Sequence, residues 1–135
     1  MKSVFVDTAG WMMMADSADR RHEKASAFRD RFLSRRGLLI TTDYVVDETL
    51  TLLRMRIGLE AAQKWWWMVS GSNRLDIELV DPHRTDLARE WFFGWSDQRF
   101  SFTDCTSFVV MRDLGISRAL TSDAHFRTAG FETVP

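Results

Sequence analysis

The sequence lacks the features that mark secreted and membrane proteins. It contains one cysteine, Cys105, which excludes an internal disulfide and makes a reducing compartment the default expectation. No apolar run approaches the length of a membrane span. The start, Met1-Lys2-Ser3-Val4, enters a strand directly and has neither the apolar region nor the cleavage site of a signal peptide. We therefore expect a cytoplasmic protein that does not bind a membrane.

Several enzyme signatures are also missing. There is no glycine-rich phosphate loop and no Gly-x-Ser-x-Gly motif. The histidines, His22, His83 and His125, do not have the spacing of metal ligands, so a zinc site is not expected. Cys105 with His125 would allow a thiol nucleophile, but a lone cysteine on a helix is more often a small core residue, and we predict a core position.

Neither sign of charge is in excess, because 18 basic and 19 acidic side chains leave a net charge of −1. This balance is not typical of a nucleic-acid-binding protein. Most basic residues are arginines, whose planar fork suits phosphate. For most of these arginines the simpler expectation is that they lie on solvated helix faces. The arginines include Arg20, Arg21, Arg29, Arg31, Arg35, Arg36, Arg54 and Arg56.

Strand-like and helix-like segments alternate from end to end. With only two prolines, no repeat and no linker, we expect one domain over residues 1–135. The predicted strands are 2–6, 38–41, 75–80, 118–121 and 131–134, and the predicted helices are 18–36, 43–57, 59–69, 84–95, 104–114 and 123–129. This alternation predicts an α/β fold, a three-layer α/β/α sandwich with a mostly parallel central sheet.

Four acidic residues lie where a surface charge is not expected. Asp7 follows the strand Val4-Phe5-Val6, and Asp123 follows the strand that ends at residue 121. Asp104 opens a predicted helix, and Glu48 lies on the apolar side of another. In open α/β sheets, ligands bind beyond the carboxyl ends of the strands, where these acids would meet. Carboxylates buried together need a cation, so their convergence predicts a site for Mg²⁺ or Mn²⁺.

Helical spacing separates Glu48 from the acids beside it. One stripe of the predicted helix contains Val45, Glu48, Leu52 and Met55, and the neighbouring polar stripe contains Asp43, Asp47, Thr51 and Arg54. We therefore predict that Glu48 faces inward and Asp47 faces solvent. Two alternatives stay open: Glu48 lies at the edge of its stripe and pairs with an arginine, or Asp43 or Asp47 takes its place in the site.

The other three acids each have a purely structural alternative. Ser101 and Asp104 have the spacing of a capping box at a helix start. Asp123 has the position of an N-cap before the last helix, and Asp7 that of a cap for the turn after its strand. Each motif alone is weak evidence for a metal site, and the four motifs in this order are more specific evidence.

Consecutive aromatic residues need a separate explanation. Trp65, Trp66 and Trp67 follow one another on a predicted helix, where side chains 100° apart cannot all face one core. We expect at least one of them to be exposed, and the same holds for the segment 91–95. Exposed tryptophan is typical of a dimer or partner interface.

The sequence resembles the PIN-domain ribonucleases, and among them the compact VapC-type toxins. The resemblance extends over essentially the whole chain and rests on four segments: Val4-Phe5-Val6-Asp7-Thr8, Val45-Val46-Asp47-Glu48-Thr49-Leu50, Phe102-Thr103-Asp104-Cys105-Thr106-Ser107-Phe108 and Leu120-Thr121-Ser122-Asp123-Ala124-His125-Phe126. It implies a PIN-like α/β/α fold, metal-dependent endonuclease activity on RNA, a homodimer and a cognate antitoxin.

The mechanism that we expect is hydrolysis by a metal-activated water. Asp7, Glu48, Asp104 and Asp123 would hold one or two Mg²⁺ or Mn²⁺ ions, so no side-chain nucleophile is needed. Hydroxyls beside them would orient the carboxylates or bind phosphate, namely Thr8, Thr103, Thr121 and Ser122. With a near-neutral total charge, local arginine clusters would hold the RNA.

Three other functions remain as alternatives. The first is a free-standing PIN nuclease of RNA processing or decay, without an antitoxin. The second, an Mg²⁺-dependent phosphatase with an aspartyl nucleophile, typically needs an acid two residues after the first, and Ala9 stands there. The third is a catalytically silent binding module that uses the aromatic surfaces.

Overall fold

The computed structural model of the chain describes residues 2–135. Five strands and seven helices alternate within that range. In chain order they are β1 (Ser3–Val6), α1 (Thr8–Ala15), α2 (His22–Ser34), β2 (Leu38–Thr42), α3 (Asp43–Arg56), α4 (Leu59–Gly71), β3 (Leu75–Glu78), α5 (Pro82–Gly94), α6 (Phe102–Leu114), β4 (Arg118–Leu120), α7 (His125–Thr128) and β5 (Glu132–Val134). Over these described residues, no helix is both long and apolar enough to cross a lipid bilayer.

The strands form one parallel sheet in the order β3-β2-β1-β4-β5. The chain moves outward from β1 to β3, then returns past β1 to β4 and β5. Because crossovers between parallel strands are right-handed, this reversal places α1–α4 on one face and α5–α7 on the other. The predicted α/β/α fold is therefore confirmed. The reversal also makes the carboxyl ends of β1 and β4 a topological switch point, where open sheets bind ligands.

Helix α1 was not predicted, and it is the main error of the sequence analysis. Trp11, Met12, Met13 and Met14 are all buried, so the helix shows no polar face that periodicity could detect. Its Gly10 packs against the end of β4, where a Cβ atom would collide with the carbonyl oxygen of Leu120. Helix α1 is therefore held directly above the switch point.

Several predicted boundaries are shifted. Helix α2 begins at His22 rather than at residue 18, because Asp16 and Asp19 accept hydrogen bonds from the backbone of Ala18 and Arg21 and fold this segment into turns. Helices α5 and α6 each begin two residues earlier than predicted, after the capping side chains of Asp81 and Ser101. Strand β3 ends at Glu78, two residues early.

The predicted inward stripe of α3 is correct only in its first half. Val45 is buried and Glu48 and Leu52 are partly buried, but Met55 is 76% exposed. The stripe fails at Met55, in the last turn of α3. Asp47 is exposed, as predicted.

The aromatic segments are divided between core and surface, as expected. Trp65 is buried and packs edge-on against Trp11 with ring centroids 5.5 Å apart. Trp66 and Trp67 are exposed on α4, and Phe93 is exposed on α5. Large apolar side chains are therefore left at the surface of both helical layers.

Candidate metal centre

Asp7 is the most deeply buried acid and is fixed from two sides. It is 5% exposed, directly after β1. Its Oδ1 accepts a hydrogen bond of 2.9 Å from the Gly10 amide and caps α1, and its Oδ2 accepts one of 2.8 Å from Thr121 Oγ1. The capping alternative for Asp7 is therefore correct, and the same carboxylate also reaches across the switch point to the residue after β4.

Burial raises the pKa of Asp7 to about 7. Desolvation is the main cause, and the negative charges of Asp123 and Asp104 add to it. The hydrogen bonds from Gly10 and Thr121 act in the opposite direction by stabilising the carboxylate. A bound cation would remove this conflict, because it would compensate the charge that burial destabilises.

Thr121 connects Asp7 to Asp123. Besides donating to Asp7, its Oγ1 accepts a hydrogen bond of 2.9 Å from the Asp123 amide. Asp123 Oδ1 in turn accepts one of 2.9 Å from the amide of His125, the first residue of α7. Asp123 thus fixes the turn into α7, although Ala124 holds the formal cap position. One hydroxyl therefore binds the Asp7 carboxylate and fixes the backbone of Asp123 at the ends of neighbouring strands.

Asp104 forms the capping box proposed as its structural alternative. Ser101 Oγ accepts from the Asp104 amide at 2.9 Å, and Asp104 Oδ2 accepts from the Ser101 amide at 3.1 Å. The pKa of Asp104 is raised, mainly by burial and then by the charge of Asp123. Cap and candidate ligand are therefore not exclusive, because the box fixes a carboxylate that faces the cavity.

His125 is a candidate ligand that the sequence analysis set aside. Its Nδ1 lies 3.1 Å from Asp104 Oδ2 and 3.5 Å from Asp123 Oδ1. The ligand atoms of Asp104, Asp123 and His125 all lie within 4.8 Å of one another, close enough to hold one metal ion. The sequence analysis considered the spacing of the histidines along the chain and so did not include His125 among the candidate ligands. Asp123 is its neighbour in the turn into α7, but Asp104 belongs to α6, 21 residues away, so linear spacing gave no signal for that contact.

Glu48 faces the same cavity from α3 but lies outside that 4.8 Å group. Of the three neighbouring acids, Glu48 alone lines the cavity. Asp43 instead accepts a hydrogen bond of 2.9 Å from the Val80 amide, and Asp47 is exposed. The geometry thus favours Glu48 over Asp43 and Asp47, as the helical spacing does.

The four acids line one cavity of about 450 Å³ at the carboxyl edge of the sheet. Three of the four predicted supporting hydroxyls line it too, namely Thr8, Thr103 and Ser122, and Thr121 supports it through Asp7. Arg56 and Arg99 are the arginines at this cavity, and Asp19 adds a fifth carboxylate. Five acids against two arginines make the floor a cation-binding environment.

Cys105, next to Asp104, does not contribute a nucleophile. It is buried in the core, as predicted. Burial, with a smaller effect of the Asp104 charge, raises the pKa of its thiol to about 11. The reactive thiolate therefore does not form near neutral pH.

Comparison with known proteins gives a consistent result. No protein-family profile matches the sequence. The chain is 34% identical over 135 residues to the 23S rRNA-specific endonuclease VapC20 of two strains of Mycobacterium tuberculosis, and the alignment covers 97% of each protein. The crystal structure of that protein, described as a sarcin–ricin loop cleaving toxin, superposes with a TM-score of 0.87 over 98% of this chain and 99% of the other.

More distant structures share the fold. VapBC2 from Rickettsia felis, bound to a DNA fragment from its promoter, matches with a TM-score of 0.75 at 10% identity over 98% of this chain and 99% of that one. FitAcB from Neisseria gonorrhoeae matches with a TM-score of 0.69 at 12% identity, over 98% and 96%.

The parallel α/β/α sandwich with carboxylates around its switch point, together with the match to VapC20 over 98% of this chain, places the protein among the PIN-type nucleases. The identity of 34% over nearly the full length of both proteins shows the family within that class. The chain belongs to the VapC family of PIN-domain endonuclease toxins.

Proposed function

We propose that this protein is a metal-dependent endoribonuclease, the toxin of a toxin–antitoxin pair, and that residues 1–135 form one nuclease domain acting in the cytoplasm. The observation that carries the proposal is the convergence of Asp7, Glu48, Asp104 and Asp123 on one cavity at the switch point of the sheet. Membership of the VapC family supports the same conclusion.

The ion in this proposal is Mg²⁺ or Mn²⁺, held by the four carboxylates. Asp104 and Asp123, together with His125, have ligand atoms close enough for one ion, and Asp7 is a buried carboxylate whose raised pKa indicates uncompensated charge. When bound, the metal supplies Lewis-acid chemistry, which lowers the pKa of water and neutralises charge on the transferring phosphoryl group. Nitrogen ligation by His125 would favour Mn²⁺ over Mg²⁺.

The protein side chains position and support the reacting groups. Thr121 holds Asp7 and the backbone of Asp123, and Ser101 holds Asp104. Arg56 and Arg99 lie at the cavity without an ion-pair partner among residues 2–135, so their guanidinium groups are free to contact RNA phosphates beside the cleaved bond. Burial raises the pKa of the Cys105 thiol and excludes it as a nucleophile, and we assign water activated by the metal as the attacking group.

The substrate that we propose is a structured loop of ribosomal RNA. VapC20 is named as specific for 23S rRNA and as a sarcin–ricin loop cleaving toxin. The match over the full length of both proteins supports the same substrate class here. A folded loop also presents an exposed phosphodiester to a cavity of about 450 Å³.

Two protein partners belong to this proposal: an antitoxin and a second copy of the chain. Two mainly apolar cavities flank α4, of about 260 Å³ beside Trp65 and about 410 Å³ beside Trp66. Exposed Phe93 and Trp95 mark a separate apolar region at the end of α5. Exposed aromatic surface of this extent is typical of protein interfaces.

Cleavage assays test the nuclease proposal. The purified protein is incubated with a 23S rRNA fragment that contains the sarcin–ricin loop, and with an unrelated structured RNA, in Mg²⁺, Mn²⁺ or EDTA. We expect cleavage of the first RNA with a divalent ion and none in EDTA. Asp7→Asn should abolish it, whereas Asp81→Asn, which alters an exposed cap of α5, should not. Full cleavage by folded Asp7→Asn would refute the assignment.

Expression in cells separates a toxin from a free-standing nuclease. A toxin should arrest growth, and both Asp7→Asn and co-expression of a small protein encoded beside it should relieve the arrest. Harmless expression of an enzyme that is active in vitro would favour the free-standing nuclease.

A further inference from the structure

A second cavity lies at the opposite, amino edge of the sheet. Its volume is about 530 Å³, and its charged lining residues are Lys2, Arg31, Arg35 and Arg118, with no acid among them. Lys2 precedes β1, Arg118 begins β4, and the two other arginines project from the end of α2. Three separate segments thus converge to form one cationic cavity.

The cationic groups of this cavity have no acidic partner. Among residues 2–135, none of the four forms an ion pair within 4.0 Å. Unpaired like charges repel one another, so their concentration at one place favours an anion from outside. This separates them from arginines such as Arg29 and Arg84, which pair with acids of the same chain.

The floor of the cavity is aromatic. Phe28 and Phe32 stack at 5.8 Å with an interplanar angle of 11°, and the Arg118 guanidinium lies 5.9 and 5.8 Å from their ring centroids. Along α2, residues 28, 31, 32 and 35 have the i, i+3, i+4, i+7 spacing of one helix face. Aromatic and basic side chains therefore alternate on a single concave surface.

We propose that this amino-edge cavity is a second RNA-binding site, which holds an unpaired segment of the substrate away from the cleaved bond. Arginines and lysine would bind its phosphates, and a base would stack against the partly buried Phe28. Single-stranded RNA combines the two recognised features, closely spaced phosphates and π faces. An acidic peptide would match the charge but not the aromatic floor. The inference rests on the proposed ribonuclease function and extends it to substrate capture.

The strands that separate the two cavities are short compared with a folded RNA molecule. The edges are separated by strands of four to five residues, about 15 Å at 3.3 Å per residue. A folded rRNA fragment covers this span. The two sites would then divide substrate binding, one holding the cleaved phosphodiester and the other a flanking segment.

Binding measured without cleavage tests the site. A fluorescein-labelled 23S rRNA fragment containing the sarcin–ricin loop is titrated in EDTA with wild type, Arg31→Gln/Arg35→Gln and the charge-matched control Lys64→Gln/Arg89→Gln. The control removes two exposed cations elsewhere. We expect about tenfold weaker binding for the first variant only, with the slope of log K against log salt reduced by about 1.4, the value for two single-strand phosphate contacts.

A variant without a charge change tests the stacking. Phe28→Leu should weaken binding several-fold and leave the salt slope unchanged, because one stacking face is lost while the cations remain. Circular dichroism confirms that each variant is folded.

Three results would overturn the site. If Arg31→Gln/Arg35→Gln binds RNA with the same affinity and the same salt dependence as wild type, RNA does not contact this cavity. An equal loss of RNA affinity in the control variant would show that binding depends on the total charge of the protein and not on this cavity. Unchanged RNA binding with weakened antitoxin binding would make the cavity a protein contact. Since EDTA excludes cleavage, these results are independent of the Asp7→Asn assay.

Discussion

The two edges of the central sheet carry cavities of similar size and opposite charge. At the carboxyl edge, five acids line about 450 Å³, and at the amino edge, four cations line about 530 Å³. Four of these acids accept hydrogen bonds from backbone amides, and Asp7 also accepts one from the Thr121 hydroxyl. The cationic groups are at the ends of long side chains and have no acidic partners. The carboxyl edge thus holds its oxygen ligands in fixed positions, whereas the amino edge provides a positive electrostatic potential.

This difference corresponds to two physical requirements. Chemistry at phosphorus needs ligands fixed to within a fraction of an ångström, which short side chains at strand ends and helix caps provide. Electrostatic capture of a polyanion needs charge and tolerates mobility. A net charge of −1 conceals both, because the opposite charges are segregated rather than absent.

The largest expected effect is a loss of kcat at the carboxyl edge, in contrast to a change in KM at the amino edge. Asp104→Asn should lower kcat by about 10³-fold or more, because it removes a carboxylate from the transition-state environment. Arg35→Gln should instead raise KM by a few-fold. Steady-state cleavage of the rRNA fragment in Mg²⁺ measures both, with Asp81→Asn as a control that alters another helix cap. A fall in kcat for Arg35→Gln as large as that for Asp104→Asn would contradict the division.

The acidic edge was largely predictable from the sequence, because its determinants are local. Strand-end logic places Asp7 and Asp123, and helical spacing selects Glu48 over Asp47. Each depends on a few consecutive residues and on the rule that parallel strands share a carboxyl edge. The spacing of Ser101 and Asp104 also predicts the capping box, which fixes the Asp104 carboxylate at the cavity.

The sequence analysis did not predict the features that are assembled from distant segments, nor the helix that has no polar face. Helix α1 is buried on all sides, so it has no amphipathic period. His125 meets Asp104 from 21 residues away, and the amino-edge cavity joins Lys2 and Arg118 to α2. The arginines of α2 taken alone predict only a solvated helix face. Their convergence with Lys2 and Arg118 can be predicted only when the order of the strands in the sheet is known.

The second prediction concerns pH, which should affect the carboxyl edge alone. In metal-free protein the pKa of Asp7 is about 7, against 3.8 in the unfolded chain. The folded state therefore holds a proton that the unfolded state has lost, and its stability falls as pH rises from about 4 to 7 and then levels. The whole shift corresponds to about 4 kcal/mol.

Urea unfolding at pH 5 and pH 8 in EDTA measures this dependence. Wild type should be less stable at pH 8, and Asp7→Asn should remove most of the difference, whereas Asp81→Asn should keep it. Mg²⁺ at pH 8 should restore stability to wild type and not to Asp7→Asn, since binding to the native state is stabilising. A wild-type stability that rises from pH 5 to pH 8 would contradict the assignment of Asp7 as the dominant buried charge.

The smallest expected effect tests how selectively the carboxyl edge binds its cation. If the Nδ1 of His125 is a ligand beside Asp104 and Asp123, its loss should weaken Mn²⁺ binding about tenfold and Mg²⁺ binding less, because imidazole favours transition metals over magnesium. Calorimetric titration of His125→Ala with each ion gives the ratio of affinities, and His83→Ala, an exposed histidine of α5, is the matched control. Equal losses for both ions would make His125 a hydrogen-bonding support for the carboxylates, and the carboxyl edge would then recognise its cation by charge and size alone.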